Sequence, residues 1–246
     1  MAFPSCHTKL EIRFAISILS RFMQGWGVRH WGYALHCLKY CICERYFGLV
    51  YVSGVDWHGC NVPYAYGDSS FEHPKSQGCR MVMMNGALVS MSSQRHTTID
   101  TSTTAAELTE AFLASNDIMG FRNLMIELGF ELQGPTVLYQ DNQPAIHVVE
   151  GERNLGSVTK HMSIRTWKLT ERVEDRHVCL EYCGTTDMLA DIGTKSLNAT
   201  QFCYLRDWST GYALLRIHHP DLDPMVRFTN AERIWSLLVV LGEQEG

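Results

Sequence analysis

The sequence predicts an α/β fold in which helices cover a mixed β-sheet. Three observations carry that prediction: an Asn85-Gly86 pair between two apolar runs, a long amphipathic pattern after it, and alternating helix and strand patterns through the second half.

Taken in order, residues 1–50 form a basic, aromatic-rich helical region that includes HWGYALHCLKYCICERYFGL. Trp31, Ala34, Leu35, Leu38 and Ile42 recur at helical spacing and predict one buried face. Residues 53–67 read as a Gly- and Tyr-rich connection. Residues 79–84 and 87–92 read as the strands of a hairpin, because an Asn-Gly pair tolerates the left-handed backbone of a tight turn. Residues 104–128 read as a long helix opened by a Thr104/Glu107 capping box and ended by Gly129. Leu108, Ala111, Ile118, Phe121, Met125 and Leu128 would face inward. A short buried strand follows at 135–139, then helices at 141–150 and 160–175. Val178, Leu180 and Tyr182 alternate as a strand, and residues 186–195 and 201–208 read as further helices. A last apolar run, 234–241, reads as a short amphipathic helix.

Composition narrows the function classes. The chain has 246 residues, 46% hydrophobic and 19% charged, which fits one folded domain with an appendage. No apolar run reaches the ~18 residues of a membrane span. Glu11 and Arg13 interrupt any signal-peptide core. Nine cysteines at uneven spacing argue against a complete disulfide framework and for an intracellular, non-secreted setting. A net charge of −5 excludes a globally basic nucleic-acid binder, so any such contact needs a local patch.

Four carboxylates stand where such a fold can gather them. Asp68 lies in AYGDSSF, Glu107 near the start of the long helix, Asp141 after the strand PTVLYQ, and Asp191 within DMLADIGTK. Hard divalent cations need several oxygen ligands, and two ions about 3.5–4 Å apart can act on both oxygens of a phosphodiester displacement. Each residue also has a structural reading: Glu107 as half of a capping box, Asp141 as an N-cap, Asp191 as a solvated helix residue, Asp68 as turn chemistry. Cys37, Cys41 and Cys43 with His30 or His36 invite a zinc reading, but their spacing lacks a second knuckle and they read as buried thiols. His177 reads as a strand-edge histidine in preference to a proton shuttle.

From about residue 18 to 207 the chain resembles the C-terminal part of copia-type LTR-retrotransposon polyproteins, the end of reverse transcriptase followed by its RNase H domain. The matching segments run in family order: LSRFMQGWGVRHW, HCLKY, GLVY, YGDSSF, KSQG, MMNGALVSMSSQR, STTAAELTEAF, ELGF, PTVLYQDNQPAI, TKHMSIR, VEDRHVCLEYCGTTDMLADIGTKSL and QFCYLRD. The run DNQ-x-AI, TKH-x-x-IR and DMLADI-x-TK is the most specific. The resemblance implies an RNase H-like mixed five-stranded sheet flanked by helices. It implies a helical remnant of a reverse-transcriptase C-terminal region at 1–52, an RNase H-like domain at 62–212, and a tail at 213–246 that matches no family pattern.

The resemblance further implies an Asp-Glu-Asp-Asp set carried by Asp68, Glu107, Asp141 and Asp191, holding two Mg²⁺ or Mn²⁺ ions and hydrolysing the RNA strand of an RNA–DNA hybrid. Asp56 in VSGVDWHG competes for the first position and is disfavoured, because GLVY places it in the connection before the strand. Expected nucleic-acid contacts are Ser69, Ser70, Asn142 and Gln143 beside the metals. To these add a stripe on the helix from Lys160, formed by His161, Arg165, Lys168 and Arg172 at one-face spacing, with Arg176 beyond. Partners implied are the hybrid and the remaining polyprotein domains, in a virus-like particle or the nucleus. There are departures: Ala105 replaces the family's first Glu, the turn after the first strand is shortened between Phe71 and Lys75, and Gly193 and Ser196 replace the usual Phe and Pro. A glycine within a helix costs roughly 1 kcal/mol against Ala, so Gly193 predicts reduced order near Asp191. No Y-x-D-D polymerase motif is seen. The competing readings are a decayed, inactive element fragment that retains at most nucleic-acid binding, and a nuclease of the same fold acting on DNA.

Overall fold

A computed structural model describes residues 5, 9–52, 58–72, 74–151 and 160–218. Asp56 and the run 234–241 lie outside the described residues.

Strands β1 (Tyr64–Ser70), β2 (Gln77–Met84), β3 (Ala87–Arg95), β4 (Thr136–Gln140) and β5 (Val178–Tyr182) form one five-stranded sheet in the order β3-β2-β1-β4-β5. The first three pair antiparallel, and β4 and β5 add on in parallel. This is the mixed five-stranded sheet flanked by helices that the sequence predicts. Asn85 and Gly86 both take positive φ, 51° and 76°, as the two-residue hairpin between β2 and β3 requires. Strand β1 begins at Tyr64, inside the stretch expected to be a connection, because Tyr64, Ala65 and Tyr66 each pair with both β2 and β4.

The helices are α1 (Arg13–Ser20), α2 (Val28–Cys43), α3 (Thr103–Glu127), α4 (Gln143–Val149), α5 (Lys160–Glu174), α6 (Ala199–Ser209) and α7 (Tyr212–His218). Side chains alternate across the sheet, so β1 serves two cores. Ala65 faces α3, α4 and α5 with Leu108, Ala111, Ile118, Leu138, Ile146 and Leu169. Tyr64 and Tyr66 face the other layer with Met81, Leu88, Met188, Leu189, Ile192 and Leu205.

Several expected details are corrected. Helix α3 buries Leu108, Ala111, Ile118 and Met125, but Phe121 is half-buried and Leu128 exposed, because the sheet ends before the last turns of the helix. The stretch 186–195 is not an α-helix; it is a 3-10 turn, Leu189–Gly193, pressed into the second core by Leu189, Ala190 and Ile192. In α2 the expected face is reversed. Trp31, Leu35, Leu38 and Ile42 are exposed, Ala34 is half-buried, and Cys37, Tyr40, Cys41 and Glu44 turn inward. Polar anchors set that rotation: Tyr40 Oη donates to Glu11 Oε1 at 3.3 Å, and Lys9 Nζ donates to the Glu44 carbonyl. The eight described cysteines are free thiols. Helix α7 packs Tyr212, Leu214 and Leu215 on Phe47 and Val52, so residues 213–218 belong to the folded body. Among the described residues no helix is long and apolar enough to cross a membrane.

Candidate active site

The parallel register of β1 and β4 sets Tyr66 beside Tyr139. Two residues further on, the same register carries Asp68 and Asp141 to neighbouring positions on one side of the sheet, about one strand spacing apart. The 3-10 turn Leu189–Gly193 brings Asp191 to the same place from the layer beneath. Ligand oxygens of Asp68, Asp141 and Asp191 all lie within 4.8 Å of one another. Asp68 and Asp191 are buried, and half-buried Asp141 opens the group to solvent.

The fourth expected carboxylate, Glu107, is 3% exposed on α3 and stands outside that group of three, though near enough for the Asp68 and Asp141 charges to act on it. Its Oε1 accepts the Ser69 backbone N–H at 3.3 Å, while its Oε2 is buried without a hydrogen-bond partner. The structural readings of these residues are therefore corrected. Helix α3 is capped by Ser102, whose Oγ accepts from the Ala105 N–H at 3.1 Å, so Glu107 closes no capping box. Helix α4 is capped by Asn142, which accepts from the Ala145 N–H at 3.0 Å, so Asp141 is not a cap. Asp191 is no solvated residue.

Electrostatics follow from this crowding. Burial, then the neighbouring Asp191 charge, pushes the Asp68 carboxyl up to about 6. Burial also raises Glu107 well above its ordinary value, aided by the charges of Asp68 and Asp141. Asp141 is raised by burial and then by Asp68. Such a group holds protons tightly until cations offset the repulsion. Three residues not assigned to the site from sequence supply part of that compensation, and two of them, Thr194 and Lys195, close the DMLADI-x-TK motif. Lys195 Nζ lies 2.7 Å from Asp191 Oδ1 and 3.7 Å from Asp68 Oδ2, and the Thr194 hydroxyl donates to Asp68 Oδ2. Thr185 Oγ1 donates to Asp141 Oδ2 at 3.3 Å. The signal for Lys195 was the motif itself, in which it closes DMLADI-x-TK four residues after Asp191.

Gly193 is where expectation and structure part most clearly. It is buried at the end of the 3-10 turn, and a Cβ there would stand 2.3 Å from Cys79 Sγ and 2.8 Å from Met91 Cε. Ser93 Oγ donates to its carbonyl at 2.6 Å. The glycine permits close packing beside Asp191 rather than loosening it.

A second polar cluster was also missed. His96 is buried between Asp100, at 2.7 Å from Nδ1, and Glu110, at 2.9 Å from Nε2. Burial opposes the His96 charge, but the bonds to Asp100 and Glu110 outweigh it and push the imidazole up to about 9. Arg80 adds contacts to Glu110 at 3.3 Å and Asp117 at 2.6 Å. Glu110 sits one turn after Glu107, so this cluster fixes the α3 segment that presents Glu107.

The expected nucleic-acid residues scatter more. Ser69 lies under Glu107, Asn142 caps α4, and Gln143 is exposed at the rim. The α5 stripe does not present one free face. Arg172 donates to Ser115 and Asn116, and Arg165 to Thr98 and Thr109, because α5 packs against α3; Lys168 is exposed and pairs with Glu171. Nothing of the side chains of Lys160 and His161 falls within the described residues. Half-buried His177 precedes β5, opposite Thr136 at the far end of the sheet from Asp141, so it serves no proton transfer there. Among the described residues no His/Cys group is poised to hold a metal; the one such group is Asp68, Asp141 and Asp191.

No family model matches the chain. It is 26% identical over 206 residues to the retrovirus-related Pol polyprotein from transposon TNT 1-94 of Nicotiana tabacum, a match covering 79% of this chain and 14% of that polyprotein. It is 28% identical over 209 residues to that from transposon RE1 of Arabidopsis thaliana, covering 79% and 13%. The chain thus spans about one-seventh of the curated relatives it matches. Among solved structures, LC11-RNase H1 in complex with RNA/DNA hybrid is similar with a TM-score of 0.42 and 12% identity, over 62% of this chain and 99% of that one. RNase H1 from Halobacterium salinarum NRC-1 gives 0.41 and 12%, over 54% and 93%. Over about four-fifths of its length the chain is thus similar to retrovirus-related Pol polyproteins of plant transposons, in keeping with the resemblance in motif order.

Proposed function

We propose that this chain is a metal-dependent endonuclease of the RNase H type that hydrolyses the RNA strand of RNA–DNA hybrids. One observation carries the reading: Asp68, Asp141 and Asp191 bring carboxylate oxygens within 4.8 Å from three separate elements, and on α3 Glu107 Oε2 is buried without a hydrogen-bond partner. An all-oxygen donor set that includes an orphaned buried carboxylate oxygen fits Mg²⁺ or Mn²⁺. When bound, such ions supply water activation and charge stabilisation for phosphodiester hydrolysis.

The protein's own part is positioning. The β1–β4 register holds Asp68 and Asp141 side by side, α3 holds Glu107, and the Thr194 and Thr185 hydroxyls orient two of the carboxylates. Ser69, Ser70, Asn142 and Gln143 lie at the same end of the sheet, suited to a backbone or 2′-hydroxyl contact that is blind to sequence. Among the described residues of the basic stripe, exposed Lys168 can approach phosphate once it leaves Glu171, and exposed Arg176 lies beyond it. In this reading residues 62–212 are the nuclease domain, 1–52 a reverse-transcriptase remnant and 213–246 an additional segment. The remaining polyprotein domains would be its intracellular partners.

Purified protein with labelled substrates tests the proposal. RNA in a hybrid should be cut with Mg²⁺ and spared with EDTA, and duplex DNA and duplex RNA should be spared. Cleavage of duplex DNA in preference would assign the fold to a different nuclease, and no cleavage of any substrate by folded protein would support the inactive-fragment reading.

A further inference from the structure

The geometry points to Lys195 as a built-in counter-ion that neutralises the carboxylate group until divalent cations displace it, so that its ammonium sets metal affinity by competition. The inference rests on the metal-centre reading above. Lys195 Nζ bridges Asp191 Oδ1 and Asp68 Oδ2, at 2.7 and 3.7 Å, the space between two proposed ligands. Its own backbone N–H is bonded to the Asp191 carbonyl at 3.1 Å, which fixes the root of the side chain while leaving the stem free. The side chain is 35% exposed, whereas those of Asp68 and Asp191 are almost wholly buried. The ammonium can therefore swing to solvent on its four-carbon stem without opening the core.

Charge explains why it is held and why it would leave. One ammonium against the three crowded carboxylates of Asp68, Asp141 and Asp191 relieves only part of their repulsion. The attraction is mutual: the ammonium lies within salt-bridge reach of both Asp191 and Asp68, whose carboxylates are almost wholly buried. Two divalent ions would carry enough charge to balance the carboxylates, and they would repel an ammonium held between two of them. Metal and lysine therefore compete for the same oxygens. A lysine that merely braced Asp191 would instead stay bound beside the metal and assist its binding.

Mn²⁺ titration of metal-stripped full-length protein at pH 7.5, read as free Mn²⁺ by electron paramagnetic resonance, separates these roles. Lys195→Met should bind Mn²⁺ about fivefold more tightly than the parent, the effect of removing a competing ion pair worth up to ~1 kcal/mol. Lys195→Arg should bind no more tightly than the parent, and Asp141→Asn should bind at least about tenfold more weakly. Equal or weaker binding by Lys195→Met, or Lys195→Arg binding as tightly as Lys195→Met, overturns the competition. Binding by the parent no stronger than by Asp141→Asn overturns the metal-centre reading itself. Should Lys195→Met fail to fold by circular dichroism, reductive methylation of the parent protein decides. Lys195 should be labelled severalfold faster with saturating Mn²⁺ than without, and an unchanged rate overturns the inference.

Discussion

Glu107 Oε1 accepts the Ser69 backbone N–H at 3.3 Å, fastening the start of α3 to β1 one residue past Asp68. The bond spends one oxygen of the carboxylate on structure and leaves the other buried without a hydrogen-bond partner, within the influence of the Asp68 and Asp141 charges. Glu107→Gln keeps the acceptor and removes the charge. In urea denaturation at pH 7.5 without metal, the variant should gain about 1 kcal/mol, because repulsion is relieved. Its single-turnover cleavage of hybrid should fall roughly 100-fold or more. A variant that is both less stable and fully active would remove Glu107 from the site.

The same crowding gives a pH signature. Asp68 titrates near 6 in the fold against an ordinary 3.8, so the folded state holds this proton more tightly than the unfolded chain. Its contribution to stability is complete below the unfolded value and is lost as pH rises through about 6; Glu107 and Asp141 act in the same direction. With EDTA present, the urea midpoint should fall between pH 4.5 and 7. Saturating Mg²⁺ should shrink that fall, since ions bind the deprotonated group. Asp68→Asn should show a smaller fall than the parent, and an equal one would place the titration elsewhere.

His96 has the opposite sense. Its imidazole is pushed up to about 9, so its stabilisation is complete below the unfolded value near 6.5 and disappears as pH rises through 9. His96→Ala leaves buried Asp100 and Glu110 without their shared cation and should cost about 3–5 kcal/mol at pH 7. Denaturation at pH 7 and pH 10 should show the gap between parent and variant narrowing at the higher pH.

Gly193→Ala should destabilise by about 1–3 kcal/mol, because its Cβ would meet Cys79 Sγ at 2.3 Å. Cys79→Ala in the same chain should recover part of the loss, since Sγ is removed while Met91 Cε at 2.8 Å remains. Thermal melts of the single and double variants provide the cycle; full additivity would mean that the two side chains do not meet.

What could be read in advance follows a physical divide. The Asn85-Gly86 turn, the strands beside it and the body of α3 are local patterns, and they announce themselves in a short window. Asp68, Asp141 and Asp191 were legible as a set through motif order, and their convergence follows from a parallel register that sequence implies only through fold. The rest depends on contacts between distant segments. Glu110 looks like any helix carboxylate until the chain turns His96 onto it, and Gly193 looks like a defect until Cys79 is seen against it. The exposed face of α2 misled because polar bonds set its rotation, Tyr40 Oη donating to Glu11 and Lys9 Nζ donating to the backbone carbonyl of Glu44.

The most direct test of the central claim is Mg²⁺-dependent cleavage of a hybrid by the parent and by Asp141→Asn. Asp141 lies at the end of β4, half-buried, and its replacement removes one charge without changing shape. The account predicts that cleavage of the RNA strand falls by roughly two orders of magnitude or more while hybrid binding persists. Cleavage by Asp141→Asn at the parent's rate would contradict it.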